Sequence, residues 1–312
     1  MGSAAFAALL ALAISAGAAH GDRKVLIWWA NPNNPATLSA TLSDMRAHHA
    51  AFTGIAYQGY AVCGAGSDDV GGSNDCAKLD AVGTMPHFAH GHPVGVPADL
   101  GAQLRGAVGA DLELWPVISY GNPGNASVLN RLLADEAGTA AFAAAAIAEA
   151  HARRLTGYNL DLETAGVVGM GVFLQRFAAA LAAARPPVGV SYDGGNDPAS
   201  APAGTTAMSR WVSMATYTAS QAAFDAGVAE GVKSCGAAAF GVGLCPACQY
   251  LGDDAVQARF DTVERLGKGA IEELDLWCWV SNSSSWDPYW PRLEAWLNGS
   301  SSGSSSGSAR AE

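Results

Sequence analysis

Gly157-Tyr158-Asn159-Leu160-Asp161-Leu162-Glu163 decides the fold, because polar and apolar residues alternate through it as they do along a β-strand. Strand side chains alternate faces, so Asn159, Asp161 and Glu163 share one face while Tyr158, Leu160 and Leu162 share the other. An Ala-rich helical run (Glu136 to Arg154) precedes the stretch and another (Val167 to Ala184) follows it. An exposed edge strand has the same alternation but does not normally sit between two apolar helices. A strand of a parallel sheet covered by helices does, and there a polar residue is expensive unless it is used. Two carboxylates on such a strand point to a functional cleft.

The same strand-then-helix unit recurs on both sides. Strands read as Lys24–Ala30, Gly54–Val62, Leu112–Tyr120, Gly157–Glu163, Val188–Asp193, Trp211–Tyr217, Ala237–Leu244 and Leu274–Val280. Several are rich in Val, Ile, Trp and Tyr and are bounded by Gly, Pro or Asn. Helical patterns follow most of them: Leu38–Phe52, Leu100–Val108, Glu136–Arg154, Val167–Ala184, a short Gln221–Glu230, Asp253–Leu266 and Pro288–Leu297. The fifth unit is poor, since Asn196 to Thr206 has little period. Eight βα units predict an α/β fold, a (β/α)8 TIM barrel in one domain, rather than an open doubly wound sheet. No G-x-G-x-x-G opens a helix after the first strand, so a dinucleotide fold lacks its phosphate loop. A barrel collects its active residues at the C-terminal ends of its strands. Asp161 and Glu163 end the fourth strand, Ser119 the third, Tyr217 the sixth, and Trp277 with Trp279 the eighth.

The chain has 312 residues, half of them hydrophobic, with a net charge of −11 and no basic run. Nucleic acid and anionic membranes are therefore poor partners, whereas a neutral polymer suits the acidic balance. Residues 1–21 read as a signal peptide: an apolar stretch (Ala4 to Ile14) leads to an A-x-A-like site at Ala16-Gly17-Ala18. No segment is long enough to span a bilayer, so the expectation is a secreted protein with no membrane span once the signal is removed. The barrel domain then covers residues 22–298, and the Ser/Gly tail, 299–312, is expected to be disordered.

Six cysteines fit an oxidising compartment. Cys63 and Cys76 bracket a loop they could close, Cys245 and Cys248 form a C-P-A-C suited to a local bridge, and Cys235 and Cys278 could pair. Asn125, Asn282 and Asn298 each begin an N-x-S sequon.

These residues resemble glycoside hydrolase family 18, the chitinase and endo-β-N-acetylglucosaminidase group. The family's fourth-strand signature is D-G-x-D-x-D-x-E; here Thr156 to Glu163 matches it with Thr156 and Asn159 in place of the first two acids. Asp161 and Glu163 keep the last two. The third-strand S-x-G-G is met by Ser119-Tyr120-Gly121-Asn122 except at its last position. Of the sixth-strand M-x-Y-D, only Tyr217 remains. The eighth-strand Trp is either Trp277 or Trp279. There is no candidate for the α+β insertion that deepens many chitinase clefts.

The resemblance implies a retaining hydrolase of β-linked N-acetylglucosamine in chitin or a related oligo- or polysaccharide, without metal or organic cofactor. Cleaving a glycosidic bond needs a proton donor and a stabiliser of oxocarbenium charge. Glu163 would be the general acid/base. Asp161 would orient the substrate's acetamide, which acts as nucleophile, and Tyr217 would bond its carbonyl. Asn159 would tune Asp161 from below, and Trp277 or Trp279 would floor the subsite. Ser119 belongs to the binding network rather than serving as a nucleophile, since no triad pattern accompanies it. Trp28, with Trp29 and Tyr57, fits either a sugar platform or ordinary core. His87, His90 and His92 lie in a Gly/Pro loop without a metal-binding helix, and no metal is expected. Two rival readings stand: a family 18-like lectin or inhibitor barrel, and a glycosidase of another barrel family using Asp193 as second carboxylate. Oligomeric state is not legible.

Overall fold

In the computed structural model each strand run pairs with the next one along the chain. The structure describes residues 23–29, 35–62, 99–120, 136–162, 169–194, 210–213, 216–236, 239–248, 251–267, 271–279 and 283–299. β1 (Lys24–Trp29), β2 (Gly54–Val62), β3 (Glu113–Tyr120), β4 (Gly157–Asp161), β5 (Gly189–Gly194), β6 (Arg210–Ser213), β7 (Phe240–Leu244) and β8 (Glu273–Leu276) are parallel. β8 also pairs with β1, Leu26 against Asp275 and Ile27 against Leu276, so the sheet closes on itself.

The described helices are α1 (Pro35–Ala47), α2 (Leu100–Val108), α3 (Glu136–Arg153), α4 (Met170–Ala183), α5 (Gln221–Cys235), α6 (Asp253–Gly267) and α7 (Trp290–Leu297). None of them is long and apolar enough to cross a membrane. Several boundaries differ from the sequence expectation: α1 runs Pro35–Ala47 rather than Leu38–Phe52, α5 continues past Glu230 to Cys235, β8 runs Glu273–Leu276 rather than Leu274–Val280, and the described part of β6 reaches only Ser213, four residues before Tyr217. The leader, the Ser/Gly tail beyond Gly299, the aperiodic 196–206 stretch of the fifth unit and the Cys63–Cys76 loop lie outside the described residues. Between β7 and β8 the described residues hold a turn closed by the Cys245–Cys248 disulfide and then α6.

Alternation divides the apolar side chains into two cores. Outward-facing residues such as Ile27, Ile55, Ile118, Leu160, Val190, Val242 and Leu274 pack beneath the helices. Inside the closed sheet a smaller cluster joins Leu26, Trp28, Ala56, Trp115 and Val117, with Trp277 packed against it. Trp115 occupies this interior because Gly157 and Gly189 leave it room. A Cβ on Gly157 would lie 2.3 Å from the indole, and one on Gly189 2.5 Å from it. Beneath, Lys24 pairs with Glu113 at 2.5 Å, and Glu113 accepts a bond from Trp115 Nε1 at 3.0 Å. The interior is thus filled at its N-terminal end, and a site can form only toward the opposite mouth.

Candidate active site

β4 supplies the first residues. Tyr158 and Leu160 face the helices, where the Tyr158 hydroxyl donates to the Ala146 carbonyl of α3 at 2.9 Å. Asn159 faces inward, fully buried, and its amide donates to Ser191 Oγ on β5 at 2.8 Å. Its Oδ1 accepts no hydrogen bond among the described residues. Asp161 lies one inward step nearer the mouth and is partly exposed. Asn159 is in register with Ser191 and Leu160 with Tyr192, so Asp161 and Asp193 fall on the next rung. Adjacent strands lie about 4.8 Å apart, which sets these two carboxylates side by side. Asp193 is buried. Ser119, the last residue but one of β3, is in register with Asp161, and its side chain is not among those described. Glu163 lies outside the described residues.

Tyr217 follows β6 at the same end of the barrel. Its hydroxyl is buried and has no hydrogen-bond partner among the described residues. Burial raises its pKa well above the ordinary value, and the charges of Asp193, Asp275 and Asp161 add to the effect, with Cys278 last. The phenol therefore keeps its proton and is a donor awaiting an acceptor. The backbone around it is fastened on both sides. Thr216 Oγ1 donates to the Gly243 carbonyl of β7 at 2.6 Å, and Arg259 Nη2 on α6 donates to the carbonyls of Thr218 and Ala219 at 2.6 and 3.0 Å.

The structure separates the two tryptophans. Regular β8 ends at Leu276 and the Trp277–Cys278 peptide is cis. Trp277 turns into the barrel, partly exposed, and meets Trp28 edge-on with ring centroids 5.3 Å apart. Trp279 instead lies in the outer core among Phe52, Trp286 and Trp290, 5% exposed. The expectation that Trp279 could line the subsite is corrected: it packs on the helix side of the sheet. Trp28 is 1% exposed, so it supports Trp277 from behind rather than presenting a face of its own. Trp29 and Tyr57 belong to the outer core as well.

Cys235 and Cys278, expected as a possible pair, are not joined by a disulfide. His87, His90 and His92 lie outside the described residues. Among the described residues no group of three or more His, Cys, Asp or Glu is placed to hold a metal ion. Three functional candidates escaped the sequence reading. Asp275 is fully buried in β8, and its signal was a lone acid within Leu274-Asp275-Leu276. Ser191 carried none beyond its place on β5. Arg259 sits in the apolar stripe of α6, where a cation has no ordinary reason to be.

The assembled site has a neutral phenol, carboxylates on neighbouring rungs, and a tryptophan at one rim. Such a set suits a substrate that is neutral when bound and gains positive charge as it reacts, because buried carboxylates stabilise a developing cation.

By sequence, no family model and no curated protein matches the chain. By structure, many solved chains do. A chitinase from Chromobacterium violaceum has a TM-score of 0.62 at 13% identity, covering 88% of this chain and 99% of that one. A class V chitinase from Pseudomonas fluorescens gives 0.64 at 13%, with coverages of 88% and 99%. The spore cortex-lytic enzyme SleL of Bacillus megaterium gives 0.64 at 11%, with coverages of 87% and 73%. At these identities the likeness is one of fold: the chain has a chitinase-like barrel of the kind found in family 18.

Proposed function

We propose that the protein is a secreted retaining glycoside hydrolase that cleaves β-linked N-acetylglucosamine in chitin or a related glycan. One observation carries the reading: Asp161, Tyr217 and Trp277 converge at the C-terminal mouth of a barrel whose fold chitinases share. Glu163, two residues past Asp161 on the signature stretch, donates the proton to the leaving oxygen. The substrate's acetamide oxygen attacks the anomeric carbon. Asp161 receives the acetamide N–H and balances the positive charge of the cyclic intermediate, while the Tyr217 hydroxyl donates to the acetamide oxygen until that oxygen attacks. Glu163, now ionised, then takes a proton from water, which opens the intermediate with overall retention. A face of Trp277 floors the subsite. Two residues apart on the signature stretch, Asp161 and Glu163 would share charge badly at close range, which favours keeping the acid protonated near neutrality.

Release of a chromophore from an aryl N-acetylchitooligosaccharide tests this. The wild type is expected to turn over, and Glu163→Gln to lose about 10²- to 10⁴-fold, the usual worth of a positioned acid. Thiazoline analogues of the intermediate are expected to inhibit. Equal turnover by both proteins removes Glu163 from the mechanism. If Asp193→Asn abolishes activity and thiazolines do not inhibit, a two-carboxylate mechanism through Asp193 replaces this one. Absence of turnover with retained oligosaccharide binding makes the barrel a lectin, the alternative favoured by Asn159 and Thr218 standing where the family signature has acids. Export is supported by the leader pattern and the Cys245–Cys248 bridge; mass spectrometry of the mature protein should find residues 1–21 removed.

A further inference from the structure

We propose that Arg259 is the positioning residue for Tyr217, fixing the turn that delivers its hydroxyl into the barrel; the proposal rests on the hydrolase reading above. Arg259 lies on the buried face of α6, between Val256 and Val263, and is 2% exposed. A guanidinium in such a place carries a heavy desolvation cost, and an apolar side chain of similar size would fill the space without it. Among the described residues no carboxylate bonds it. Its charge is met by the Thr218 and Ala219 carbonyls at 2.6 and 3.0 Å and by the face of Phe224 on α5, 4.3 Å from the ring centroid.

Those two carbonyls belong to the residues directly after Tyr217. The rest of the turn is equally specified. Thr216 is tied to β7 through the Gly243 carbonyl, the Thr218 amide donates to the Thr216 carbonyl at 3.0 Å, and the Thr218 hydroxyl accepts from the Ser220 amide at 3.3 Å. Ser220 then caps α5 by accepting from the Ala223 amide at 3.3 Å. Tyr217 stands in the middle of this frame, and among the described residues its hydroxyl has no hydrogen-bond partner, which leaves it for a ligand. Thr218 is half-buried and Ala219 exposed, so without Arg259 their carbonyls can turn to water and the frame slackens. A displacement of about 1 Å in a reacting group can cost roughly 10²-fold in rate. The guanidinium reaches the chemistry only through the backbone that carries Tyr217.

A double-mutant cycle separates this role from simple packing. Arg259→Met is expected to lower kcat at least about tenfold, with KM within about twofold and little change in Tm. Arg259→Lys should recover most of the loss, because a single nitrogen makes both carbonyl bonds. In a Tyr217→Phe background, Arg259→Met should have almost no further effect. Unchanged kcat in Arg259→Met, or an equal loss in both backgrounds, overturns the proposal. If the wild type shows no turnover, the hydrolase reading has failed. The same cycle is then read in N-acetylchitooligosaccharide affinity by tryptophan fluorescence, with the same two outcomes overturning the role of Arg259. Circular dichroism identifies any variant that does not fold, in which case Arg259→Gln replaces Arg259→Met.

Discussion

The Tyr217 hydroxyl is buried and lies within the field of three aspartates, and that environment sets what it can do. Burial and the charges of Asp193, Asp275 and Asp161 all oppose its ionisation, so it remains a donor throughout the ordinary pH range. Tyr217→Phe is expected to lower kcat by about 10²-fold, the typical cost of removing one preorganised donor, measured on the aryl oligosaccharide. Because the phenol stays neutral, the substitution should leave the shape of the pH–rate profile unchanged below pH 10. A lost alkaline limb would contradict the assignment. Beneath the site, Gly157→Ala brings a Cβ within 2.3 Å of Trp115 and 2.5 Å of the Gly189 carbonyl. Backbone on one side and a boxed-in indole on the other cannot yield, so a loss of about 1–3 kcal/mol or more is expected in urea denaturation. Of these residues, Asp161 was legible from alternation alone. Trp277 and Trp279 were not separable, because alternation puts both on one face only while the strand lasts, and it stops at Leu276.

At the scale of elements, α5 illustrates how packing overrides local propensity. The sequence pattern reads as helix only as far as Glu230, yet the helix continues through Gly231 to Cys235. The reason lies across the interface: a Cβ at Gly231 would meet the ring of Phe240 at 2.0 Å, and Phe240 is fully buried in β7. Helix propensity alone predicts that Gly231→Ala gains about 1 kcal/mol. The clash predicts a loss of about 1–3 kcal/mol instead, and thermal unfolding decides between the two signs. Leu100–Val108 matched its sequence pattern residue for residue, since an amphipathic helix carries its own period. The sixth strand did not. Trp211 to Tyr217 reads as one apolar run, but among the described residues pairing with β5 and β7 reaches Ser213 and no further. Beyond it, Thr216 and Thr218 are held by partners remote in sequence, which no local pattern encodes.

Over the whole molecule, six tyrosines respond to pH together, five of them buried and Tyr217 with only its hydroxyl buried. Burial is the largest cause at each: it raises Tyr192 and Tyr289 to about 12, and Tyr57, Tyr60, Tyr158 and Tyr217 further still. A phenol whose folded pKa exceeds its unfolded value stabilises the fold fully below pH 10. That contribution is lost as pH climbs toward the folded value, because the unfolded chain ionises first. One unit above the ordinary pKa each group removes about 1.4 kcal/mol, and the six together roughly 8 kcal/mol. This is comparable with the about 5–15 kcal/mol stability of an ordinary domain. Stability is therefore expected to collapse between about pH 10.5 and 12, with tyrosinate absorbance rising in step with loss of far-UV circular dichroism. Ionisation of these six phenols in a still-folded protein would contradict their burial.

The chain by itself determined the repeating strand-and-helix order, the parallel sheet and the inward face of β4, because periodicity is a local property that follows from side-chain geometry. Tertiary structure alone decided that Asp193 stands beside Asp161, that Trp277 rather than Trp279 enters the barrel, and that a cation on α6 braces Tyr217. Each of those depends on register and on closure between strands and helices far apart in sequence, and neighbouring residues carry no record of them.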